Sequence, residues 1–577
     1  MGTNSPITPA LTGYRSSGST CATAAEQSGR DPGARLPPTR LRRLRVLALA
    51  AVGALVLVAG LRSAQLPSES VIGGPYGWLL TSSTDLGPAR SGHAQLTVAL
   101  HHSTRPEALT QWAKSRGLSV RWRPGEDWAF VEGAPANVAR AFRVAVHNYR
   151  NLGGLVFYAS PQQPAVPVAV RGEVTALGRI LGYRPPHLAK PPNLPLDVPS
   201  PGLLPPQLPV SYNATPLGAS GAGQTIVFYE WAGADQTDLD AYSVNFGLPK
   251  FTPTVIGNPP TGEGHAAEIT EATMDLEVAH AIAPDARLVV VNAGTTIVKG
   301  DSGNTYENVA KLFAKVDTQF PGALWSLSIG WGCDRMDTAT DLAPMQAQLA
   351  TATLHGTSAF DANGDTGGLE CKQYRADPDG SVYSSPPGES DIGLDSVASL
   401  PAMTNVGGTT LSTDARGVWV AEQAWVESPL SQGTGGGVSA VFNRPAFQNK
   451  VSAPEDTRHR LTPDVAADAD PSTGMYLLLN HQWQVGGGTS QAAPIWAGLA
   501  ALMNQYLLAQ SGKVLGDLNP LLYRIAAGAA KPAFHDVVLG GNAVHTARPG
   551  YDLVSGLGTP NVDNLVHDVL DIQQGRG

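Results

Sequence analysis

The chain has 577 residues, 42% of them hydrophobic and 15% charged, so it can bury a large core and is too long for one ordinary domain. Its net charge of −9 is uneven, because residues 1–65 carry +6 (eight arginines against Glu26 and Asp31) and the remainder carries −15. The acidic body argues against nucleic acid as a partner, and three cysteines without a CxxC or Cys/His cluster argue against a disulfide scaffold and against zinc.

The first 63 residues predict a disordered basic head and an export signal. Residues 1–40 are rich in Ser, Gly, Pro and Thr, a composition that favours disorder. In the signal segment, 41–63, arginines precede sixteen apolar or glycine residues, 46–61, and this order directs the rest of the chain outward. The run is shorter than a comfortable span of about 20 residues, and no small-x-small cleavage site follows it. A cleaved signal and a retained membrane anchor both stay open, and either predicts an extracytoplasmic protein, secreted or anchored to the outer face of the cytoplasmic membrane.

Residues 70–183 alternate short strands with amphipathic helices, a pattern that suits a small α+β domain. The predicted segments are 95–100 and 128–131 for strands, and 106–115 and 137–142 for helices. Residues 184–209 are rich in proline. This composition predicts an extended, polyproline-like linker that is accessible to proteolysis.

Residues 210–577 alternate strands and helices. A buried strand is predicted from Gln224, and further strands begin near Thr254, Leu288, Trp325 and Ser358. This alternation is typical of a doubly wound, mostly parallel sheet. Such sheets place ligands at the carboxyl ends of strands and at helix starts.

An acidic stripe lies on one predicted helix, His265 to Ile282. Glu268, Glu271 and Asp275 are spaced by three and four residues, so they share one face. The apolar residues continue the same stripe, which directs the acids toward the interior. Burying like charges is costly unless a proton or cation is shared. The stripe is therefore a candidate site, and a solvated acidic face or a metal pair is the alternative.

A candidate nucleophile lies in the segment 488–494, Gly-Thr-Ser-Gln-Ala-Ala-Pro. Ser490 stands between a glycine-bearing turn and an alanine-rich helix start, whose N–H groups supply positive potential beside its Oγ. The pattern indicates a serine hydrolase. The alternative is an ordinary helix cap.

Four segments, in this order along the chain, resemble the motifs of the sedolisin family of serine-carboxyl peptidases, the acid-acting relatives of the subtilisins. They are Glu271-Ala-Thr-Met-Asp275, residues 362–367 around Asp365, residues 488–494, and Asp536-Val537 with residues 548–552. The resemblance implies a subtilisin-like peptidase domain at 210–577 with Ser490 as nucleophile, Glu271 as base, Asp275 as its partner and Asp365 as oxyanion donor.

The resemblance extends to the N-terminal half and to the partners. It implies that residues 70–183 are a prosegment of the pro-kumamolisin type, an intramolecular inhibitor and folding aid. Activation cleavage would then fall in the linker 184–209. The implied substrates are proteins or peptides, hydrolysed at acid pH by endopeptidase or tripeptidyl-peptidase action.

Two further sites follow from the resemblance. One Ca²⁺ ion is implied at the carboxylates of Asp536 and Asp552; its remaining ligands are the backbone carbonyls of Val537, Arg548 and Gly550, an all-oxygen set that suits a hard cation. Substrate binding is implied for Gly435, Gly436 and Gly437 as a backbone edge, and for Ile329, which stands where many members carry Trp. An ordinary turn and an ordinary loop are the alternatives.

Other functions stay open. A subtilisin-like Ser-His-Asp protease would use a histidine such as His355, but His355-Gly356 follows a predicted helix, 345–354, as a C-terminal cap does. A membrane-tethered binding protein on a catalytically silent fold is the second alternative. Cys333 and Cys371 are the candidate disulfide pair, since Cys21 lies apart in the head.

Overall fold

The computed structural model describes residues 72, 74–151, 156–182, 202–258, 266–294, 305–374, 388–427, 432–451, 456, 458–528 and 531–576. The predicted head, the signal segment, Cys21 and most of the proline-rich linker lie outside these residues. Within the described ranges, no helix is both long enough and apolar enough to cross a bilayer.

The N-terminal domain is built from two antiparallel sheets and three helices. Its elements are α1 (Gly74–Ser82), β1 (Thr84–Pro88), β2 (Ala94–Leu100), α2 (Glu107–Lys114), β3 (Ser119–Arg121), β4 (Trp128–Gly133), α3 (Pro135–Phe142), β5 (His147–Arg150), β6 (Val156–Ala159) and β7 (Val174–Leu177). The sheets have the orders β3-β4-β2-β7 and β1-β5-β6. Helix α2 buries Leu109, Trp112 and Ala113, the spacing of one helical face. The predicted α+β domain is confirmed.

The C-terminal domain alternates strands and helices around one large sheet. Its helices are α4 (Gln207–Ser211), α5 (Gln236–Phe246), α6 (Ala266–Ile282), α7 (Thr305–Gln319), α8 (Ala339–Leu354), α9 (Thr489–Ala509), α10 (Leu518–Ala526) and α11 (Val562–Gln573). Its strands are β8 (Thr225–Glu230), β9 (Thr254–Ile256), β10 (Arg287–Asn292), β11 (Leu324–Leu327), β12 (Ser358–Ala362), β13 (Thr404–Thr413), β14 (Trp419–Ala424), β15 (Val426–Glu427), β16 (Gln432–Gly433), β17 (Gly437–Asn443), β18 (His459–Thr462), β19 (Val465–Asp468), β20 (Tyr476–Leu479), β21 (Gln482–Val485), β22 (Phe534–His535) and β23 (Thr559–Pro560).

The large sheet has the order β14-β13-β12-β11-β8-β10-β9, and β19 also pairs with β13. Only β14 runs antiparallel to its neighbour. From β8 the chain passes to β9 at the sheet edge and then to β10 between them, and it crosses from there to β11 on the other side of β8. The strand order therefore reverses between β8 and β11, the topological switch point at which such sheets place ligands.

Both faces of the sheet are covered. Along β8, Ile226 and Phe228 pack in the cluster that includes α6 and α9, whereas Val227 and Tyr229 pack in the cluster that includes α7 and α8. This alternation follows from the two-residue period of a strand. The arrangement confirms the predicted doubly wound, mostly parallel sheet.

Two boundaries differ from the sequence predictions. The linker was predicted to continue to residue 209, but α4 begins at Gln207 and Leu203 already forms a bridge with Met475. The prolines predicted an extended linker through this segment. Pro205 and Pro206, however, lie just before the helix, where proline is tolerated. The helix before His355 also starts earlier than predicted, at Ala339, with Pro344 inside it. The pairing of Cys333 with Cys371 is confirmed.

Candidate active site

Helix α6 carries the acidic stripe into the core. Glu271 is 6% exposed and Asp275 is fully buried, while Glu268 is half-buried nearer the start of the helix. The apolar residues of α6 pack against α9 and the sheet, which fixes the rotation of the helix. The predicted interior direction of the stripe is therefore observed for Glu271 and Asp275.

Two residues at the switch point surround Asp275. Ser328, which directly follows β11, donates from Oγ to Asp275 Oδ2 at 2.6 Å. Glu230, the last residue of β8, is 1% exposed and shares a side-chain hydrogen bond with Asp275. The carboxyl ends of the two central strands thus meet the acidic face of α6.

These buried carboxyls share protons. Burial raises the pKa of Asp275 to about 7, against the hydrogen bonds from Ser328 and Glu230. Burial, together with the charge of Asp275, raises the pKa of Glu271 well above its usual range, while a hydrogen bond with Ser490 acts in the opposite direction. Burial and the same neighbours also raise the pKa of Glu230. Close carboxyls in a dry site cannot all ionise, so the cluster retains protons at weakly acidic pH.

Ser490 lies in the first turn of α9 and is 3% exposed. Gly488, which precedes the helix, has a φ of 81°. A Cβ at Gly488 would lie 2.8 Å from Asp365 Oδ2, so only glycine fits this close approach. The turn therefore brings the serine and Asp365 to the same place.

Asp365 follows β12 and faces the start of α9. Its Oδ1 accepts hydrogen bonds from the N–H and the hydroxyl of Thr489, both at 2.8 Å. Burial raises the pKa of Asp365, and these two bonds oppose the rise. Asp365 and Ser490 line one pocket, together with Ser328, Ile329 and Glu370. Glu271 and Asp275 do not line this pocket, but they are hydrogen-bonded to two residues that do, Ser490 and Ser328.

Comparison with known proteins finds similar sequences among the serine-type peptidases. The model of the pro-kumamolisin activation domain matches residues 93–180. Kumamolisin of Bacillus sp. (strain MN-32) is 32% identical over 375 residues, 62% of this chain and 61% of that protein. Sedolisin of Pseudomonas sp. (strain 101) is 28% identical over 465 residues, 75% of this chain and 73% of that protein.

The solved structure of Pseudomonas sedolisin, described as a serine-carboxyl proteinase complexed with pseudo-iodotyrostatin, superposes with a TM-score of 0.55 and 25% identity. It matches 65% of this chain and 99% of that chain. The chain is therefore similar to sedolisin-type serine peptidases over most of its C-terminal domain. Its match to kumamolisin spans less than two thirds of that relative's length.

The N-terminal domain, which matches the pro-kumamolisin activation domain and is called the prosegment below, packs on helices α7 and α8 of the C-terminal domain. Arg121 on β3 pairs with Glu307 in the first turn of α7, and Glu307 is also 2.9 Å from Lys311 Nζ. The Arg179 N–H donates to Asp341 Oδ1 at 3.1 Å, in the first turn of α8. The interface is therefore rich in ion pairs and hydrogen bonds to carboxylates.

The residues that the sequence assigned to substrate binding have different surroundings. Ile329 is 3% exposed and lines the pocket beside Ser490. Gly435, Gly436 and Gly437 are buried, and the Gly435 carbonyl accepts a hydrogen bond from the Asn542 side chain at 3.3 Å. The glycines are thus covered by a later loop of the same chain, and an exposed edge for substrate backbone is not observed there.

The residues assigned to calcium converge on one turn. Asp536 Oδ2 accepts the Gly550 N–H at 2.8 Å, and Asp552 Oδ2 accepts the Arg548 N–H at 2.9 Å. The Ser555 hydroxyl reaches both Asp552 Oδ1 and the Val537 carbonyl. Two carboxylates and the Val537 carbonyl are linked by these bonds, and such oxygen ligands are the kind that Ca²⁺ prefers, so the residues fit that ion.

His355, the alternative base, and His280, on the acidic helix α6, have other partners. His355 Nδ1 lies 2.8 Å from Asp317 Oδ2, at the end of α8 that leads into the start of β12. The five residues of β12 separate that edge from Asp365 by about 16 Å. His280 is buried, bonds the Pro249 carbonyl at 2.8 Å and packs on Phe251. Burial lowers its pKa to about 4.

Sequence reasoning missed Glu230 and the role of Ser328. Glu230 ends a buried apolar strand and Ser328 directly follows another, and a polar residue at such a position is a usable signal in a parallel sheet. The signal is not specific until the strand order is known. Only the adjacency of β8 and β11 shows that both residues face Asp275.

Proposed function

We propose that this protein is a serine-carboxyl peptidase that hydrolyses peptide bonds at acid pH. The observation that carries the proposal is the buried pair Glu271 and Asp275, hydrogen-bonded toward Ser490 at the switch point of the sheet. A carboxyl pair of this kind has a high cost in stability. The pair lies beside the nucleophile Ser490, where a carboxyl can accept a proton during catalysis, and this role accounts for its burial.

Ser490 Oγ attacks the carbonyl carbon of the scissile bond while Glu271 takes its proton. The carbonyl π electrons move to oxygen and form a tetrahedral oxyanion. When the C–N bond breaks, Glu271 returns the proton to the leaving amine. Water then attacks the acyl ester with Glu271 again as base, which frees the carboxylic acid and restores Ser490.

Glu271, Asp275 and Glu230 share protons and a single negative charge. When that charge lies on Glu271 and the protons lie on Asp275 and Glu230, Glu271 can accept the serine proton. Asp365 acts as a neutral acid and donates a hydrogen bond to the oxyanion. Single donors of this type contribute roughly 2.7–4 kcal/mol to the transition state. Both roles require protonated carboxyls. Since burial raises the pKa of Asp275 to about 7 and also raises that of Asp365, activity is expected below neutrality.

The same proposal covers the maturation of the protein. The chain is made as an exported zymogen, and the prosegment blocks the enzyme until cleavage occurs in the linker after residue 182. One Ca²⁺ ion, held by Asp536, Asp552 and the carbonyls of Val537, Arg548 and Gly550, joins the C-terminal loop to the domain. Its contribution is structural.

The test is an assay of denatured protein substrate between pH 3 and pH 7, with wild type and Ser490→Ala. Wild type should cleave and Ser490→Ala should not. Analysis of the products then separates internal cleavage from stepwise release of tripeptides. A wild-type protein that is processed and folded but inactive would instead support the silent binding protein.

A further inference from the structure

Two glycine-rich segments lie side by side, and one of them contains Asp365. We name residues 363–368 the oxyanion segment and residues 432–437 the glycine segment. The Gly433 N–H donates to the Asp365 carbonyl at 2.9 Å, the Gly367 N–H to the Gly433 carbonyl at 3.0 Å, and the Gly435 N–H to the Gly364 carbonyl at 2.9 Å. The backbone of Asp365 is therefore held in place by the glycine segment.

Neither segment is stiff by itself. Gly364, Gly367, Gly368 and Gly436 have φ values of 94°, 66°, 86° and 121°, a region that glycine adopts with little strain. Glycine also has the greatest backbone freedom to lose on ordering. The geometry at Asp365 consequently depends on bonds that come from outside the two segments.

Thr489 holds the carboxylate of Asp365, and a later loop supplies two further bonds to the backbone of the segments. In this tip loop, residues 541–546, Asn542 Nδ2 donates to the Gly435 carbonyl at 3.3 Å, and the Ala543 N–H donates to the Gly367 carbonyl at 3.1 Å. Asn542 Oδ1 accepts the N–H groups of Val544 at 2.9 Å and His545 at 2.7 Å. One side chain thus shapes the tip loop and links it to the glycine segment.

The tip loop lies in direct contact with both segments. A Cβ at Gly368 would be 3.3 Å from Val544 Cγ2 and 3.5 Å from Asn542 Nδ2, and one at Gly437 would be 3.3 Å from His545 Nε2. The absence of a side chain at Gly368 and at Gly437 is what allows this approach. The tip loop therefore packs closely against both segments.

We infer that Asn542 is a positioning residue that acts through the glycine segment on Asp365. The inference rests on the proposed function, because it concerns the oxyanion donor of that reaction. With Asn542 in place, the carboxyl of Asp365 is aimed at the oxyanion. Without its bond to Gly435, the two segments shift and the donor is misplaced.

Asn542→Asp isolates this bond. The new side chain keeps an oxygen for the N–H groups of Val544 and His545, but as a carboxylate it has no donor for the Gly435 carbonyl. We expect kcat to fall about tenfold at pH 6 with KM within about twofold, since small misplacements of catalytic groups act on the chemical step. At pH 3, below the ordinary aspartate pKa of about 3.9, the protonated side chain donates again and the deficit should shrink. A purely structural defect would not recover on acidification.

Two controls complete the experiment. Asn564→Ala removes a similar bond, from Nδ2 to the Pro532 carbonyl at 2.9 Å, and should leave kcat unchanged. In an Asp365→Ala background, Asn542→Asp should add no further loss, because both changes remove the same contribution. Amide exchange at Gly367, Gly433 and Gly435 should be faster in Asn542→Ala than in the intact parent chain.

The outcomes are separable. If wild type is active but Asn542→Asp retains full kcat at pH 6 and exchange at the three amides is unchanged, the positioning role is overturned and the peptidase remains. If wild type has no peptidase activity below neutrality, both the proposed function and this inference fail. A loss that is additive with Asp365→Ala also overturns the inference.

Discussion

Glu277 is a buried carboxyl on α6 whose pKa differs between the folded and the unfolded protein. It lies two positions after Asp275, is fully buried, and accepts the Leu478 N–H at Oε2, at 2.9 Å. Burial raises its pKa to about 9, against the bond from Leu478 and with a further rise from Asp238. The folded protein therefore keeps a proton on Glu277 at neutral pH, whereas the unfolded chain does not.

This difference gives a prediction for Glu277→Gln. The folded-state pKa of about 9 lies above the ordinary value of 4.5, so the stabilising effect of the proton is complete below that ordinary value and is lost as the pH rises to about 9. The cost is about 1.4 kcal/mol per pH unit in this window. Glu277→Gln removes the titration and keeps an acceptor for Leu478. Its melting temperature should rise relative to the parent between pH 5 and pH 8.

The measurement is thermal unfolding in a Ser490→Ala background, which prevents self-digestion. Glu107→Gln is the control, because Glu107 has an exposed side chain, 59% accessible. It should follow the parent at every pH. If the curves of Glu277→Gln and the parent stay parallel from pH 5 to pH 8, Glu277 does not hold a proton in the folded state.

At the scale of elements, periodicity predicted α6, β8 and the strand before Asp365, because their hydrophobic patterns are local. The stripe Glu271 and Asp275 was predictable for the same reason. Glu230 and Ser328 were not, since their role depends on which strands are neighbours. The burial of Gly435 to Gly437 was equally hidden, because the covering loop lies about one hundred residues later in the chain.

The C-terminal loop gives the element-scale prediction. If Ca²⁺ binds only the folded state, it stabilises the protein by about 2.7 kcal/mol at one hundred times its Kd. EDTA should therefore lower the melting temperature at pH 6. Asp536→Asn should lower it to the same point and remove the response to EDTA. Asp536 is the better residue to change, because Asp552 also caps the N–H groups of Val554 and Ser555.

The melting temperature in EDTA and the calcium content of the purified protein can contradict this prediction. If EDTA leaves the parent unchanged at pH 6 and the purified protein contains no calcium, the residues form an ordinary turn. Asp563→Asn, a change on α11, serves as the control and should keep the full response to EDTA.

At the scale of the whole molecule, the prosegment interface is the feature most open to regulation by acid. Glu307 is 4% exposed and is shared between Arg121 of the prosegment and Lys311 of its own helix. When the prosegment leaves, Lys311 still pairs with Glu307. The interface can therefore open without leaving a buried, unpaired carboxylate in the mature domain.

Glu307→Gln should make activation easier. The neutral side chain cannot form an ion pair with Arg121, so the prosegment is held less tightly. We expect the pH at which half of the chain is processed in a fixed time to move upward, and Ser490→Ala to block processing at every pH. Mass and N-terminal sequence after incubation are the measurements. An unchanged processing pH in Glu307→Gln would show that this pair does not hold the prosegment.

The central claim is that a carboxyl, and not a histidine, is the base for Ser490. The direct test is kcat/KM at pH 4 for Glu271→Ala and His355→Ala, each cleaved in the linker by an added protease of another class so that processing does not depend on the variant's own activity. We predict a loss of about 10⁴-fold or more for Glu271→Ala, as for other residues that act as a unit, and a value within about twofold of wild type for His355→Ala. The reverse result, with folded His355→Ala inactive and Glu271→Ala active, would contradict the account and restore a Ser-His-Asp mechanism.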